Sequence, residues 1–169
     1  IFAHTGGFPL GLAIDKDSNI LSCVGAMGLY QISPKGEVKQ LSAETNRSYT
    51  SIVDDARLRD PNDLDIGPDG KIYFTDSTTR YEAHDWAIDS IEGRPTGRLL
   101  VYDPKTGETK TLLDNYRYAN GVCMAHDGKS LFFAESWACR VHRYWIEGPK
   151  AGTAECVIKD MPGYPDNIN

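Results

Sequence analysis

Four side chains in this 169-residue sequence carry hard oxygens at recurring positions: Asn62 in PNDLDI, Asn120 in ANGVCM, and the adjacent Asp166 and Asn167 in PDNI. Each stands at the head of an alternating apolar stretch, where β-branched or aromatic residues are usual and Asp and Asn are depleted. Any one alone reads as a turn or strand cap, a task these residue types do well. Their shared register favours a ligand set. Carboxylate and amide oxygens without thiolate or imidazole suit calcium, which takes about six to eight oxygens in a flexible shell; manganese or zinc can also use such sites. Asn62, Asn120, Asp166 and Asn167 are therefore the candidate metal ligands, and Asp166 and Asn120 the candidate catalytic pair. An ion held by amides and few carboxylates keeps residual charge and an open position, so it can polarise a carbonyl and stabilise the oxyanion formed on attack. Hydrolysis of a lactone or ester is the simplest reaction such a site supports.

Val24, Asp76 and Glu135 form a second recurring set, at the ends of apolar stretches (LSCV, FTDS and FAES). Asp76 and Glu135 either orient the ligand amides or cap turns. The histidines make no dyad in the sequence: His4 is near the start, His84 in a long insertion, His126 in a turn and His142 within a strand. No GxSxG elbow, P-loop or dinucleotide fingerprint occurs, so nucleophilic serine chemistry has no local support.

What must position these residues is a repeat. LGLAIDKDSNILSCV, NDLDIGPDGKIYFTD and NGVCMAHDGKSLFFAE are three versions of one pattern: a strand, a polar turn and a second strand. Asp-Gly between alternating hydrophobics predicts a hairpin with a type I′ turn. A third strand follows in each unit (GLYQIS, GRLLVYD, RVHRYWI), then a fourth (EVKQLS, TKTLLD, AECVIKD). Four antiparallel strands per unit is the plan of a β-propeller blade. The units open near Leu10, Asn62, Asn120 and Asp166, in steps of 52, 58 and 46 residues, against a period of roughly 40–50 for propeller repeats. The predicted fold is all-β, one propeller domain over 1–169 with about three blades and the opening of a fourth. First strands line the central channel of a propeller, so equivalent positions on successive blades converge on one axis.

Propellers close with about four to eight blades, and an unclosed set leaves apolar sheet faces open. The chain thus reads as part of a longer protein, or as one copy in a homo-oligomer that completes the ring. The insertion STTRYEAHDWAIDSIEGRPT reads either as a short amphipathic segment, with Trp86, Ile88 and Ile91 folded over one end, or as padding.

A net charge of -6 argues against nucleic acid, which needs clustered Lys and Arg, and favours cations or a neutral small-molecule substrate. No apolar run reaches the length of about 18 residues expected of a membrane segment. Cys23, Cys123, Cys139 and Cys156 show no metal spacing. Three of them lie in apolar runs (LSCV, NGVCM, ECVI) and read as buried free thiols, with a disulfide as the alternative. Asn46-Arg47-Ser48 is a glycosylation sequon, a tripeptide common by chance.

At PNDLDIGPDGKIYFTDS, GRLLVYDP, YANGV, HRYWIEGPKAG and PGYPDNI the chain resembles the strictosidine-synthase-like branch of six-bladed propellers, close to the adipocyte plasma-membrane-associated type. That branch is similar in plan to the gluconolactonases of the senescence-marker-protein family and to the paraoxonases. The resemblance implies a calcium or other divalent ion on the axis, held at Asn62, Asn120 and the Asp166–Asn167 pair, with a further glutamate ligand from a blade preceding this chain. Hydrolysis of lactones or esters is the activity implied. Strictosidine synthases proper condense an amine with an aldehyde through a glutamate on a late blade, which makes a condensing enzyme the alternative. A non-catalytic binding module with a structural ion is the third reading.

Overall fold

The computed structural model describes residues 1–46 and 55–169; Arg47 and Ser48 of the sequon lie outside them. Among the described residues, twelve strands form three antiparallel four-stranded sheets, each in consecutive order. The first comprises β1 (Phe8–Ile14), β2 (Ile20–Gly25), β3 (Gly28–Ile32) and β4 (Val38–Ser42). The second comprises β5 (Pro61–Ile66), β6 (Ile72–Asp76), β7 (Gly97–Asp103) and β8 (Glu108–Tyr116). The third comprises β9 (Ala119–Met124), β10 (Ser130–Glu135), β11 (Arg140–Trp145) and β12 (Ala154–Ile158). The first strands β1, β5 and β9 lie side by side. This is a partial β-propeller of three blades.

The hairpins between first and second strands close differently from the expected type I′ turn, which needs positive φ at two central residues. In the second blade Gly67 N–H donates to Lys71 O (2.9 Å) and Gly70 N–H to Gly67 O (2.9 Å). Only Gly70 of that loop has positive φ (80°). Pro68 fixes a negative φ, which suits a type I turn closed by one left-handed residue. Ser18 (φ 63°) and Gly128 (φ 66°) take the same place in the other two blades.

Blades stack through two apolar layers. Leu21, Cys23 and Leu29 of the first blade meet Leu64, Ile72, Phe74, Leu100 and Tyr102 of the second. Tyr73 and Leu99 of the second meet Val122, Leu131, Phe133 and Tyr144 of the third. Strand β6 is buried along its whole length, since alternate side chains point to opposite faces and both faces are covered. Each such aliphatic or aromatic side chain contributes about 1.5–3 kcal/mol by leaving water. Apolar side chains stay exposed on the inner strand of the first blade (Phe8, Leu10, Leu12 and Ile14 on β1) and on the outer strand of the third (Val157 and Ile158 on β12).

The insertion forms a 3-10 turn (Ala83–Asp85) and the helix α1 (Trp86–Glu92), which ends at left-handed Gly93. Its orientation reverses the expectation. Trp86, Ile88 and Ile91 are 52%, 48% and 86% exposed, and the buried residue of α1 is Asp89. The helix is held by Asp89, whose carboxylate accepts the indole N–H of Trp137 at 3.0 Å. All four cysteines are free thiols. Cys23 is buried, but Cys156 is exposed, because β12 is an outer strand with little packed on it.

A candidate ion site at the blade openings

The inner strands are held together by side chains of one blade gripping the backbone of the next. Asp63 Oδ2 accepts Val122 N–H at 2.9 Å, and Asp65 Oδ2 accepts Met124 N–H at 2.7 Å. From β6, the Thr75 hydroxyl donates to Asn120 O (2.6 Å) and the Ser77 hydroxyl to Ala119 O (2.9 Å). Ser136, which occupies the position of Ser77 in the third blade, donates to Pro165 O at 2.6 Å. Pro165 thus stands to Ser136 as Ala119 stands to Ser77, which sets Asp166 in the place of Asn120.

Backbone approach shows the same register. A Cβ on Gly11 would lie 2.5 Å from Asp63 Cα and 2.8 Å from Asn62 O. One on Gly121 would lie 2.7 Å from Asn167 Cα and 2.5 Å from Ile168 N, and Gly121 N–H donates to Asp166 O at 3.0 Å. Only glycine admits so close a backbone.

Asn62 is half-buried and its side chain makes no hydrogen bond among the described residues. Asn120 is 6% exposed; its Nδ2 donates to the Ser136 hydroxyl oxygen at 3.2 Å. Its Oδ1 is buried with no hydrogen-bond partner among the described residues, an arrangement that costs about 1–3 kcal/mol when left uncompensated. Asp166 and Asn167 are exposed. Burial pushes the Asp63 carboxyl above its usual range, backbone N–H groups of Val122 and Leu64 oppose this, and Asp65 and Asp166 push it further up. The carboxylates here thus repel one another, and a cation would relieve them.

Among the described residues no group of three or more His, Cys, Asp or Glu gathers at metal-binding distance. The donors present are amides, one carboxylate and backbone carbonyls, a hard-oxygen set that fits calcium or magnesium rather than a softer metal. The orphaned Asn120 oxygen fits an ion.

Asp76 and Glu135 do not orient the amides. Asp76 is fully buried, accepts Asp60 N–H at 2.7 Å, and pairs with Arg98 at 2.7 and 3.0 Å. Glu135 accepts Arg117 N–H at 3.0 Å and pairs with His142 at 2.7 Å. That His142 is boxed by Tyr116 and Phe133, and His4, His84 and His126 are exposed. The contact sequence reasoning missed is Ser136, the partner of Asn120. Its signal was present: serine follows the acidic residue in both FTDS and FAES.

A further acidic group stands just before Asn62. Asp60 accepts the Tyr118 hydroxyl at 3.1 Å, and burial together with nearby Asp76 raises its carboxyl to about 7. Tyr118 also leans on Trp137, which meets Trp86 and Tyr164. An aromatic rim therefore adjoins the blade openings.

Residues 62–149, just over half the chain, match the family model for strictosidine synthase. The chain is 38% identical to Protein STRICTOSIDINE SYNTHASE-LIKE 3 of Arabidopsis thaliana, covering 96% of this chain and 40% of that protein. It is 35% identical to the adipocyte plasma membrane-associated protein of Danio rerio, covering 98% of this chain and 39% of the relative. The chain thus spans about two fifths of the curated relatives it matches. In fold it is similar to a gluconolactonase from Xanthomonas campestris (TM-score 0.72, 17% identity, 98% of this chain and 54% of that one). It is also similar to the calcium-binding protein regucalcin of Agrobacterium tumefaciens (TM-score 0.60, 18% identity, 91% and 46%). With a family model matching more than half of its length and relatives 38% identical over nearly all of it, the chain belongs to the strictosidine synthase-like family of β-propellers.

Proposed function

We propose that the blade openings hold a calcium or other divalent ion through Asn62, Asn120, Asp166 and Asn167, and that the whole protein hydrolyses a lactone or ester there. The observation that carries this reading is the buried, unpartnered Oδ1 of Asn120 at the register position shared with Asn62 and Asp166. The gluconolactonase and calcium-binding names of the structural neighbours support it.

A bound divalent ion supplies Lewis acidity toward a substrate carbonyl and the oxyanion that develops from it. The chain's own contribution is to present the oxygens. Asn120 is immobilised by burial and by Ser136, so its oxygen is preorganised. Asp166, exposed at the opening, supplies negative charge and a proton-accepting oxygen toward solvent. Gly121 draws the Asp166 segment against β9 and so fixes its height relative to Asn120.

The test is lactone and ester hydrolysis by the full-length protein, before and after chelation and calcium return. Activity is expected to vanish with chelator, return with calcium, and fall in Asn120→Ala. Hydrolysis that survives both chelation and Asn120→Ala overturns the reading. The family match itself favours a second one, a metal-independent condensation of an amine with an aldehyde; condensed product from chelated protein would establish it.

A further inference from the structure

The hydroxyl of Ser136 touches two blade openings at once. Ser136 is 2% exposed, and its backbone is fixed from both sides: its N–H donates to Tyr118 O at 3.0 Å, and its carbonyl accepts Cys139 N–H at 3.0 Å. From that anchored position Oγ donates its one proton to Pro165 O at 2.6 Å and accepts Asn120 Nδ2–H at 3.2 Å. A hydroxyl has a single proton. With that proton committed to Pro165, only lone pairs face Asn120, so an amide turned the other way would set Oδ1 against Oγ with no hydrogen between them. The bond therefore fixes which end of the amide faces Ser136 and which faces away. The same hydroxyl holds the carbonyl immediately before Asp166.

The equivalent Ser77 has only half of this function. It donates to Ala119 O, but among the described residues no hydrogen bond joins it to the Asn62 amide. Among the described residues, the third blade is the one that couples a ligand of its own to the chain entering the next opening.

We propose that Ser136 is the positioning residue of the ion site, one hydroxyl that sets the amide of Asn120 and the approach of Asp166 together. This rests on the reading of the blade openings as an ion site, and the experiment separates the two. Calcium binding to chelator-stripped full-length protein is titrated calorimetrically for wild type, S136A, S136T and N120A, with the metal-free melting temperature of each recorded beside it. Outer partners of metal ligands change affinity by about 10–100-fold, and S136A is expected to weaken calcium by that factor. S136T, which keeps the hydroxyl, should stay close to wild type. Should S136A melt before titration, S136C supplies the substitution without a strong donor and is expected to weaken binding likewise.

If wild type binds no calcium, the ion site itself fails. If wild type binds and S136A matches it, the positioning role is overturned while the ion site stands. Equal weakening by S136A and S136T also overturns it, because the hydroxyl would then not be the cause. A lower metal-free melting temperature with unchanged affinity reduces Ser136 to a blade contact and overturns it too.

Discussion

Arg98 on β7 lies directly opposite Asp76 on β6, and its Nε and one terminal nitrogen both donate to the same carboxylate oxygen, Oδ2, at 3.0 and 2.7 Å. The guanidinium also donates to the carbonyls of Arg57 and Asp55, so it ties the segment entering β5 to the third strand of the same blade. Removing one partner of a buried pair strands the other charge, at a cost of about 3–5 kcal/mol. Arg98→Ala is therefore expected to destabilise by that amount in urea unfolding. Arg98→Lys should recover only a part, since a lysine lacks the planar fork that reaches three acceptors. If Arg98→Ala unfolds at the wild-type midpoint, the pair carries no such weight.

Gly121 admits the chain at Asp166 to Ile168 with no room for a methyl group. Gly121→Ala should push that segment off β9, costing about 1–3 kcal/mol as overpacking does and weakening calcium binding as Asp166 moves. Thermal melts with and without calcium check both halves.

The Glu135 carboxyl is buried, which pushes its pKa up, but the hydrogen bonds from His142 and Arg117 N–H outweigh this and leave it below the usual glutamate range. A depressed folded-state value means stability that is present above the unfolded value of about 4.3 and is lost as pH falls through the folded one. Glu135→Gln should remove that acid-side decline and cost about 1.5–3 kcal/mol at neutral pH, the range for a hydrogen bond to a charged group. Unfolding midpoints across pH 2 to 7 are the check, and identical pH profiles for the two proteins would refute the assignment.

Asp89 and Trp137 form the latch of the helical insertion. Asp89→Ala should leave the three sheets intact while speeding hydrogen exchange and proteolysis within residues 78–96. Global stability should fall by about 1.5–3 kcal/mol, the range for a hydrogen bond to a charged group. Unchanged exchange in the insertion would show that other contacts hold it.

The blade plan was legible because it is local: alternation, turn residues and their recurrence lie within single stretches of sequence. The helix at Trp86 to Glu92 was legible as well, but not which side it buries. Hydrophobicity assigned Trp86, Ile88 and Ile91 to the inside, whereas the receiving surface offers Trp137 a hydrogen bond that only Asp89 meets. Of the two readings of Asp76 and Glu135, the one that has them orient the amides fails for a related reason. Their partners, Arg98 and His142, are fixed by strand register, which the spacing of apolar residues does not reveal. The turn at Gly70 differed because a two-residue Asp-Gly loop would pair Pro68 with Lys71, and proline has no N–H for that pair, so the hairpin closes one residue further out, on Gly67 and Lys71.

The hydrogen bonds that β9 and the chain at Pro165 receive from the blade before them run in one direction. Thr75, Ser77, Ser136, Asp63 and Asp65 offer side chains, and Ala119, Asn120, Val122, Met124 and Pro165 answer through their backbone; at the rim the direction reverses, where Tyr118 and Trp137 reach back to Asp60 and Asp89. A ribosome releases the earlier blade first, so each new first strand meets hooks already in place. The receiving strand can change its side chains without loosening the grip, while a substitution among the five gripping side chains cuts it. Sequence drift at these two seams is thus permitted on one side and policed on the other.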